Sequence, residues 1–442
     1  MTPFEIGLLF SGLLVVLVLI GVRVAFAAAL IGLFGLITIQ AQRLGFDKGL
    51  LVAIKLAGTI PHSKSTTYAL SLIPTFILIG YLAYYAGLTK SLFEAAKRWV
   101  GWLPGGLGVA TVFATAGFAA VSGASVATSA VFARIAIPEM LKVGYDKAFA
   151  AGVVAAGGTL ASLIPPSAIL VIYAIIVEQS VGQLLLAGFL PGAVSALIYA
   201  GIVIGLAKWR KDLGPPVGGF TWRQRFESLP GAMPIFAVVA IIIYCIYFGW
   251  GTPTEAGALG AFVVLVMAVW KGMRWGELKG ALMESAKLTV MIFTIIWGVL
   301  LYVRFLGFAG LPETFAEWIA GLDQPRIVTL LMILAAYAIL GMFMDAIGML
   351  LLTLPVVYPA VIALGYDPIW FGIIVVKMAE LCLITPPIGL NCFVVAGVRP
   401  DISVQDVFKG ASPFFIADVL TVAVLIAFPE IVLWLPNKIA GG

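Results

Sequence analysis

Two proline pairs, each set in the middle of a long apolar run, constrain this chain more than any other feature. The first lies in Gly157-Gly158-Thr159-Leu160-Ala161-Ser162-Leu163-Ile164-Pro165-Pro166-Ser167, the second in Glu380-Leu381-Cys382-Leu383-Ile384-Thr385-Pro386-Pro387-Ile388-Gly389-Leu390-Asn391. Each run holds about 30 residues, about 45 Å at helical rise, enough to cross a bilayer once and too short to cross it twice with a turn. A Pro-Pro pair cannot continue a helix, because it lacks N–H donors and its rings clash with the preceding turn. In lipid the freed backbone groups must be met by protein, water or ions. Interruptions at matching places in two halves of a chain are the sequence mark of a transporter's binding site.

Composition agrees. Hydrophobic residues make up 62% of the chain and charged residues 11%, against about 25% charged in soluble domains. A polytopic membrane protein is expected, with room for about a dozen helices. The net charge of +5 is scattered over loops, which fits cytoplasmic connections rather than a nucleic-acid surface. Cys245, Cys382 and Cys392 all sit in apolar runs, so no disulfide framework is expected. The first 20 residues carry Glu5 and no Lys or Arg, which reads as a retained first helix rather than a signal peptide.

Taken in order, single spans are expected at 4–20, 24–40, 70–85, 184–207, 230–248, 255–270, 288–305 and 413–435, with broken spans at 148–177 and 369–398. Residues 41–68 read as a polar connection with a short amphipathic piece at 50–56. Residues 87–104, with Lys90, Lys97, Arg98 and Trp99, read as a membrane edge. Two further runs, 106–137 and 327–364, are interrupted by small or polar tips at 119–125 and 341–346. Their arms are short for full spans, which predicts re-entrant helical hairpins.

The halves repeat. Gly144-Tyr145-Asp146 matches Gly365-Tyr366-Asp367 at 365 − 144 = 221, and Pro138/Pro359 and Pro165/Pro386 keep the same offset. Counting crossings from Leu70 to the counterpart near Leu288 gives an odd number, so the repeats are inverted. The Lys- and Arg-bearing loops at 87–104, 138–147, 208–228, 271–287 and 399–411 fall on one side, which is cytoplasmic by the positive-inside rule. Both termini then come out external. The basic connection 41–68, with Arg43, Lys48, Lys55 and Lys64, runs against that rule. The interrupted segments fall in 106–180 and 326–400, and the uninterrupted spans in 1–105, 181–325 and 401–442.

Half-helix ends supply the chemistry. Their amino termini offer N–H groups to anions and their carboxyl termini offer C=O groups to cations. Ser122, Ser125, Thr159 and Ser167 provide hydroxyl oxygens in one half, and Asp345, Thr385 and Asn391 provide oxygens in the other. Small polar residues also let helices pack closely, but here they cluster at symmetric interruptions. Lys377 and Glu380 stand three apart in one apolar span, placed to pair on one helix face. An enzyme is not expected: the single histidine, His62, lies in a polar stretch, no His-Glu-x-x-His motif is present, and Ser122-Gly123 has no base to activate it.

The stretches Phe118–Thr128, Pro138-Glu139-Met140, Gly144-Tyr145-Asp146, Ala155–Leu160, Thr252-Pro253-Thr254-Glu255-Ala256 and Leu383–Asn391 together resemble the large membrane subunit of tripartite ATP-independent periplasmic (TRAP) transporters, nearly end to end. The resemblance implies an all-α polytopic membrane protein, an inverted-repeat elevator transporter with two re-entrant hairpins and two broken helices, in which 106–180 and 326–400 are the transport-domain halves and 1–105, 181–325 and the last helix in 401–442 are scaffold. It implies a bacterial inner-membrane importer coupled to Na+ with no other cofactor, a small four-helix membrane subunit, and a periplasmic substrate-binding protein that delivers a small organic acid such as a dicarboxylate or sialic acid. An external amino terminus fits a small subunit encoded separately. One sodium site is implied at Ser122, Gly123 and Ser125 with Thr159 and Pro165, a second at Met344 and Asp345 with Thr385 and Pro386. Substrate contacts are expected from Ser167, Asn391, Lys377 and Glu380. Lys377 departs from the neutral polar residue expected at its place, so its ammonium displaces a cation or pairs with a substrate carboxylate. The competing reading is a stand-alone sodium/dicarboxylate symporter needing no binding protein. Asp345→Asn, which removes the only carboxylate at either tip, is expected to weaken sodium activation of uptake far more than expression; unchanged sodium activation would refute the assignment.

Overall fold

The computed structural model describes residues 1–322 and 324–440, and among them every regular element is helical. Helices α1 (Pro3–Leu19) and α2 (Val24–Leu44) are followed by α3 (Phe46–Ser65). A 3-10 turn leads into α4 (Leu72–Tyr85) and the amphipathic α5 (Leu88–Val100). Then come α6 (Gly106–Ser122) and α7 (Ser125–Lys142), the first hairpin, and α8 (Lys147–Thr159) and α9 (Ala168–Ile176), the two pieces of the first broken helix. Helices α10 (Val181–Trp209), α11 (Trp222–Tyr247) and α12 (Pro253–Trp270) lead to the second half. There α13 (Trp275–Ala309) and α14 (Leu311–Ala320) precede the second hairpin, α15 (Arg326–Gly341) and α16 (Ala346–Ala363). The second broken helix is α17 (Pro368–Cys382) and α18 (Leu390–Val398), and α19 (Val404–Ala427) and α20 (Glu430–Ala440) close the chain. Eight of the described helices are long and apolar enough to cross a membrane.

The repeat seen in the sequence is a repeat of structure. The start of α7 maps onto the start of α16 at 346 − 125 = 221, and α8 onto α17 at 368 − 147 = 221. Their caps match as well: the Asp146 carboxylate caps α8 and the Asp367 carboxylate caps α17, each taking up amide donors that a helix start leaves unpaired. The Ser180 and Ser403 hydroxyls cap α10 and α19, at 403 − 180 = 223. The Pro165-Pro166 and Pro386-Pro387 bonds are both cis.

Four expectations are corrected. The polar connection 41–68 is mostly the 20-residue α3. It packs on α2 and α13, with Ala53 and Ile60 buried, and tertiary contact outweighs its weak propensity around Gly58 and Pro61; the Lys64 side chain lies outside those described. Residues 275–287, expected as a loop, begin the 35-residue α13. The expected span 413–435 is two helices, α19 starting earlier and α20 separated from it at Phe428-Pro429, where the proline disfavours helix at the preceding residue; residues 441–442 lie outside the described chain. Helix α14, the counterpart of α5, was not foreseen. The hairpin arms run 17, 18, 16 and 18 residues; α6 continues through tip residues 119–122, and α7 continues past its apolar run through Pro138–Lys142.

Glycines set how closely helices cross. Where α8 meets α19, a Cβ on Gly410 would lie 1.7 Å from the Ala148 carbonyl oxygen, and one on Gly152 2.0 Å from the Gly410 carbonyl carbon. Where α2 meets α13, a Cβ on Gly298 would lie 2.0 Å from the Ala25 oxygen. Helices α10 and α19, expected in the scaffold, pack against α8, α9 and α17, around the breaks. Amphipathic α5 is pinned to α11 by the Trp99 indole N–H, which donates to the Arg225 carbonyl at 3.1 Å.

Gly410→Leu must drive α8 and α19 apart or strain them, and is expected to cost about 1–3 kcal/mol. Gly201→Ala on α10, where a Cβ meets open space, is expected to be neutral or stabilising by about 0.5–1 kcal/mol. Thermal unfolding of the purified protein in detergent compares the two.

Candidate functional site

Each hairpin tip touches the break of its own half. Helix α6 ends at Gly123, whose φ of +57° is left-handed, a conformation that glycine adopts without steric cost. The Ala168 N–H donates to the Gly123 carbonyl at 3.4 Å. A Cβ on Gly123 would lie 2.5 Å from the Pro166 oxygen, so glycine lets the tip close on the break. Ser125 Oγ is 2.5 Å from Ser162 Oγ. Ser167 Oγ donates to the Ser162 carbonyl and caps α9 by accepting from the Leu170 N–H. Ser122 Oγ pairs with Thr128 Oγ1 at 2.9 Å. Buried Ser129 Oγ has no hydrogen-bond partner, and it faces Gly158, where a Cβ would come within 1.9 Å of it.

In the second half, the Ile388 N–H at the break donates to the Met342 carbonyl at the tip, at 3.4 Å. Asp345 caps α16, accepting from the Gly348 N–H at 2.9 Å. Asparagine is also a good cap, so Asp345→Asn removes charge while keeping the helix start. Thr385 Oγ1 donates to the Leu381 carbonyl at 2.6 Å. Asn391 bridges the halves: its Nδ2 donates to the Ala155 carbonyl on α8 at 3.2 Å, and its Oδ1 has no partner. The two breaks differ in access. Residues 161–170 are all buried, whereas Pro386, Pro387 and Ile388 are exposed.

Thr159 is turned toward α10, not toward the tip hydroxyls: its hydroxyl donates to Ala156 at 2.7 Å and lies 3.1 Å from the Tyr199 OH. That contact opens onto the most charged spot in the protein's interior. Tyr199 OH donates to Asp418 Oδ1 at 2.6 Å. Lys377 Nζ sits 2.7 Å from that same oxygen and 2.7 Å from Glu380 Oε2, and 5.2 Å from the Tyr199 ring centroid. Lys377, Glu380 and Asp418 are 0% exposed. The expected Lys377–Glu380 pair is present, and it belongs to a triad joining α17 to α19 and, through Tyr199, to α10 and α8.

Four residues escaped the sequence reading: Asp418, Tyr199, Ser129 and Ser162. A carboxylate in the middle of an apolar span is itself a functional signal, and Asp418 could have been found that way. Ser129 and Ser162 carry no such signal. At the base of the first hairpin, Glu139 binds Lys97 of α5 at 3.0 Å and Lys142 at 2.7 Å, an ionic contact between the hairpin and its neighbouring amphipathic helix.

The family model described as "Tripartite ATP-independent periplasmic transporter, DctM component" matches residues 11–431. The C4-dicarboxylate TRAP transporter large permease protein DctM of Pseudomonas aeruginosa is 36% identical over 388 residues, 87% of this chain and 89% of that protein. The isethionate TRAP transporter permease protein DctMQ of Oleidesulfovibrio alaskensis is 32% identical over 84% of this chain and 60% of its own, longer length. Among solved structures, the YdaH transporter of Alcanivorax borkumensis superposes with a TM-score of 0.57 at 15% identity, over 86% of this chain and 90% of that one, a likeness of fold.

Lys377→Met leaves two buried carboxylates without their ammonium and is expected to cost about 3–5 kcal/mol. Adding Glu380→Gln and Asp418→Asn should restore most of that loss. Thermal unfolding of the single and triple variants checks both expectations; an undiminished melting temperature in the single variant would refute the structural weight assigned to the triad.

Proposed function

This chain belongs to the DctM-component family of tripartite ATP-independent periplasmic transporters, as a multi-pass large permease protein, and we propose that it imports a small organic acid across the bacterial inner membrane, driven by sodium. The observation that carries this reading is the meeting of hairpin tip and helix break in each half. It gathers carbonyl and hydroxyl oxygens beside half-helix amino termini inside an apolar protein, the arrangement that serves a cation and an anion together.

The first sodium site is assigned to Ser122, Gly123, Ser125 and Pro165, with Ser129 and Ser162 added on geometry and Thr159, whose hydroxyl faces Tyr199, left out of it. The unpartnered Ser129 oxygen is a buried acceptor that wants a ligand. The second is assigned to Met344, Asp345, Thr385 and Pro386. The substrate anion is assigned to the amino ends of α9 and α18, with Ser167 and Asn391, whose Oδ1 is also unpartnered. Lys377 and Glu380, shut from solvent and engaged with Asp418, serve the moving unit rather than the substrate.

Transport proceeds by an elevator motion in this reading. The unit that moves comprises both hairpins and both broken helices. It also takes in α10 and α19, which redraws the expected boundaries at 181 and 401. The Lys377–Asp418 and Tyr199–Asp418 contacts and the Gly152–Gly410 crossing bind those helices to the breaks, and separating a buried ion pair costs about 3–5 kcal/mol. Helices α1–α4 and α11–α13 remain as scaffold.

The named substrates of the two relatives, a C4-dicarboxylate and isethionate, are both small organic anions, which supports that substrate class. The DctMQ relative extends well beyond the length this chain matches, which supports a small membrane subunit as partner. A periplasmic binding protein completes the proposed assembly.

Uptake into proteoliposomes holding this chain and its small subunit, under an inward sodium gradient, is expected only when the cognate binding protein is supplied. Uptake with sodium alone would identify a stand-alone symporter. Uptake indifferent to sodium would refute the coupling.

A further inference from the structure

The triad does not balance its charge. One ammonium faces two carboxylates, and all three side chains are fully buried. With every group ionised the cluster carries one uncompensated negative charge, which the low-dielectric protein interior disfavours. Something positive completes it. A second metal cation is disfavoured, because Lys377 Nζ already occupies the point where the two carboxylates converge, 2.7 Å from each, and would repel it. A proton needs no such space, since it neutralises an oxygen directly.

The hydrogen bonds say which carboxylate holds it. Asp418 Oδ1 accepts from both Lys377 and Tyr199, and donors to the charged form stabilise the anion. Glu380 Oε2 accepts from Lys377, and one oxygen of each carboxylate, Glu380 Oε1 and Asp418 Oδ2, has no hydrogen-bond partner, so the Tyr199 hydroxyl is the donor that distinguishes Asp418. Glu380 is therefore the acid and Asp418 the anion. The groups facing the triad are few: Tyr199 from α10, the Thr159 hydroxyl beyond it from α8, the Leu163 backbone amide of the first break beside Glu380, and on α17 itself the Cys382 thiol, which lies against the Tyr337 and Ala338 carbonyls of α15.

The internal repeat adds a second, independent pointer. Since 380 − 159 = 221, Glu380 occupies the place in the second half that Thr159 occupies in the first. Thr159 is also linked to the triad by one intervening side chain, through Tyr199 at 3.1 Å and on to Asp418 at 2.6 Å. We propose that the Lys377–Glu380–Asp418 triad is a proton site, and that Glu380 releases and regains one proton in each transport cycle. The Glu380 O–H bond breaks when the cluster meets water on one face of the membrane, the proton passes to that water, and the bond re-forms with a proton from the opposite face. Rising pH therefore empties the site and falling pH fills it. The coupling to transport rests on the elevator reading above; the proton-holding carboxyl does not.

Two measurements on the assembled membrane complex test this. Infrared difference spectra across a pH titration should contain the C=O stretch of a protonated carboxylic acid. It should disappear in Glu380→Gln and persist in Asp418→Asn. In proteoliposomes with the binding protein and a fixed sodium gradient, a superimposed proton gradient should shift the substrate accumulation ratio by up to about tenfold per pH unit, the limit for one proton. The ratio reached by Glu380→Gln should ignore the proton gradient, whatever the variant's rate. Absence of a Glu380-dependent acid band at any pH overturns the site. A band without any proton-gradient response overturns its exchange, and a response that survives in Glu380→Gln overturns its assignment. Loss of sodium dependence alone, with band and proton response intact, overturns the sodium reading and leaves the proton site standing.

Discussion

A polypeptide cut in the middle of a bilayer must find partners for the groups it frees, and the rest of this architecture follows from that demand. Two proline pairs interrupt two spans, and no water of the bulk phase is available at that depth. The protein answers with its own chain, folding each hairpin so that its tip reaches a break: Gly123 to Ala168 in one half, Met342 to Ile388 in the other. The same contacts bring hydroxyls and carbonyls into small clusters. A solution to a structural problem thus supplies the oxygens and amide groups on which the proposed ion and anion sites rest, without a separate pocket having to be built.

The two halves solve the problem unequally. The first break is sealed and lined with paired serines, whereas the second leaves its prolines exposed. The second half also carries formal charge where the first has hydroxyls: Asp345 at the tip and Glu380 opposite Thr159. The buried ammonium of Lys377 offsets part of that charge and joins α17 to α19. Tyr199 extends the connection to the first broken helix, and Asn391 makes a second bridge through the Ala155 carbonyl. Neither half is therefore free to move without the other.

What could be read in the sequence was whatever depended on local rules. Pro165-Pro166 and Pro386-Pro387 announce the breaks, the tips at Ser122–Ser125 and Met344–Asp345 announce the hairpins, and the Asp146/Asp367 spacing announces the repeat. Helix α3 was not legible, because its stability comes from packing on α2 and α13 rather than from its own residues. Helix α20 was missed because its apolar residues run on from α19 and only Pro429 marks the stop. Asp418 and Tyr199 become partners of Lys377 only once three helices are packed together, and no spacing rule reaches across the 41 residues between Lys377 and Asp418 (418 − 377 = 41). The placement of α10 and α19 was likewise a question of which helices touch, and composition alone made them look like ordinary spans.

The offset between the halves also varies along the chain. It holds at 221 from the second hairpin arms, α7 and α16, through the proline pairs, and is 223 at the capping serines of α10 and α19. The second half is therefore two residues longer than the first between its proline pair and the next long helix, and the halves are equal in length from α7 and α16 to the proline pairs. In that interlocked segment the count of peptide units is common to both halves while the side chains are not, a threonine at 159 standing where a glutamate stands at 380.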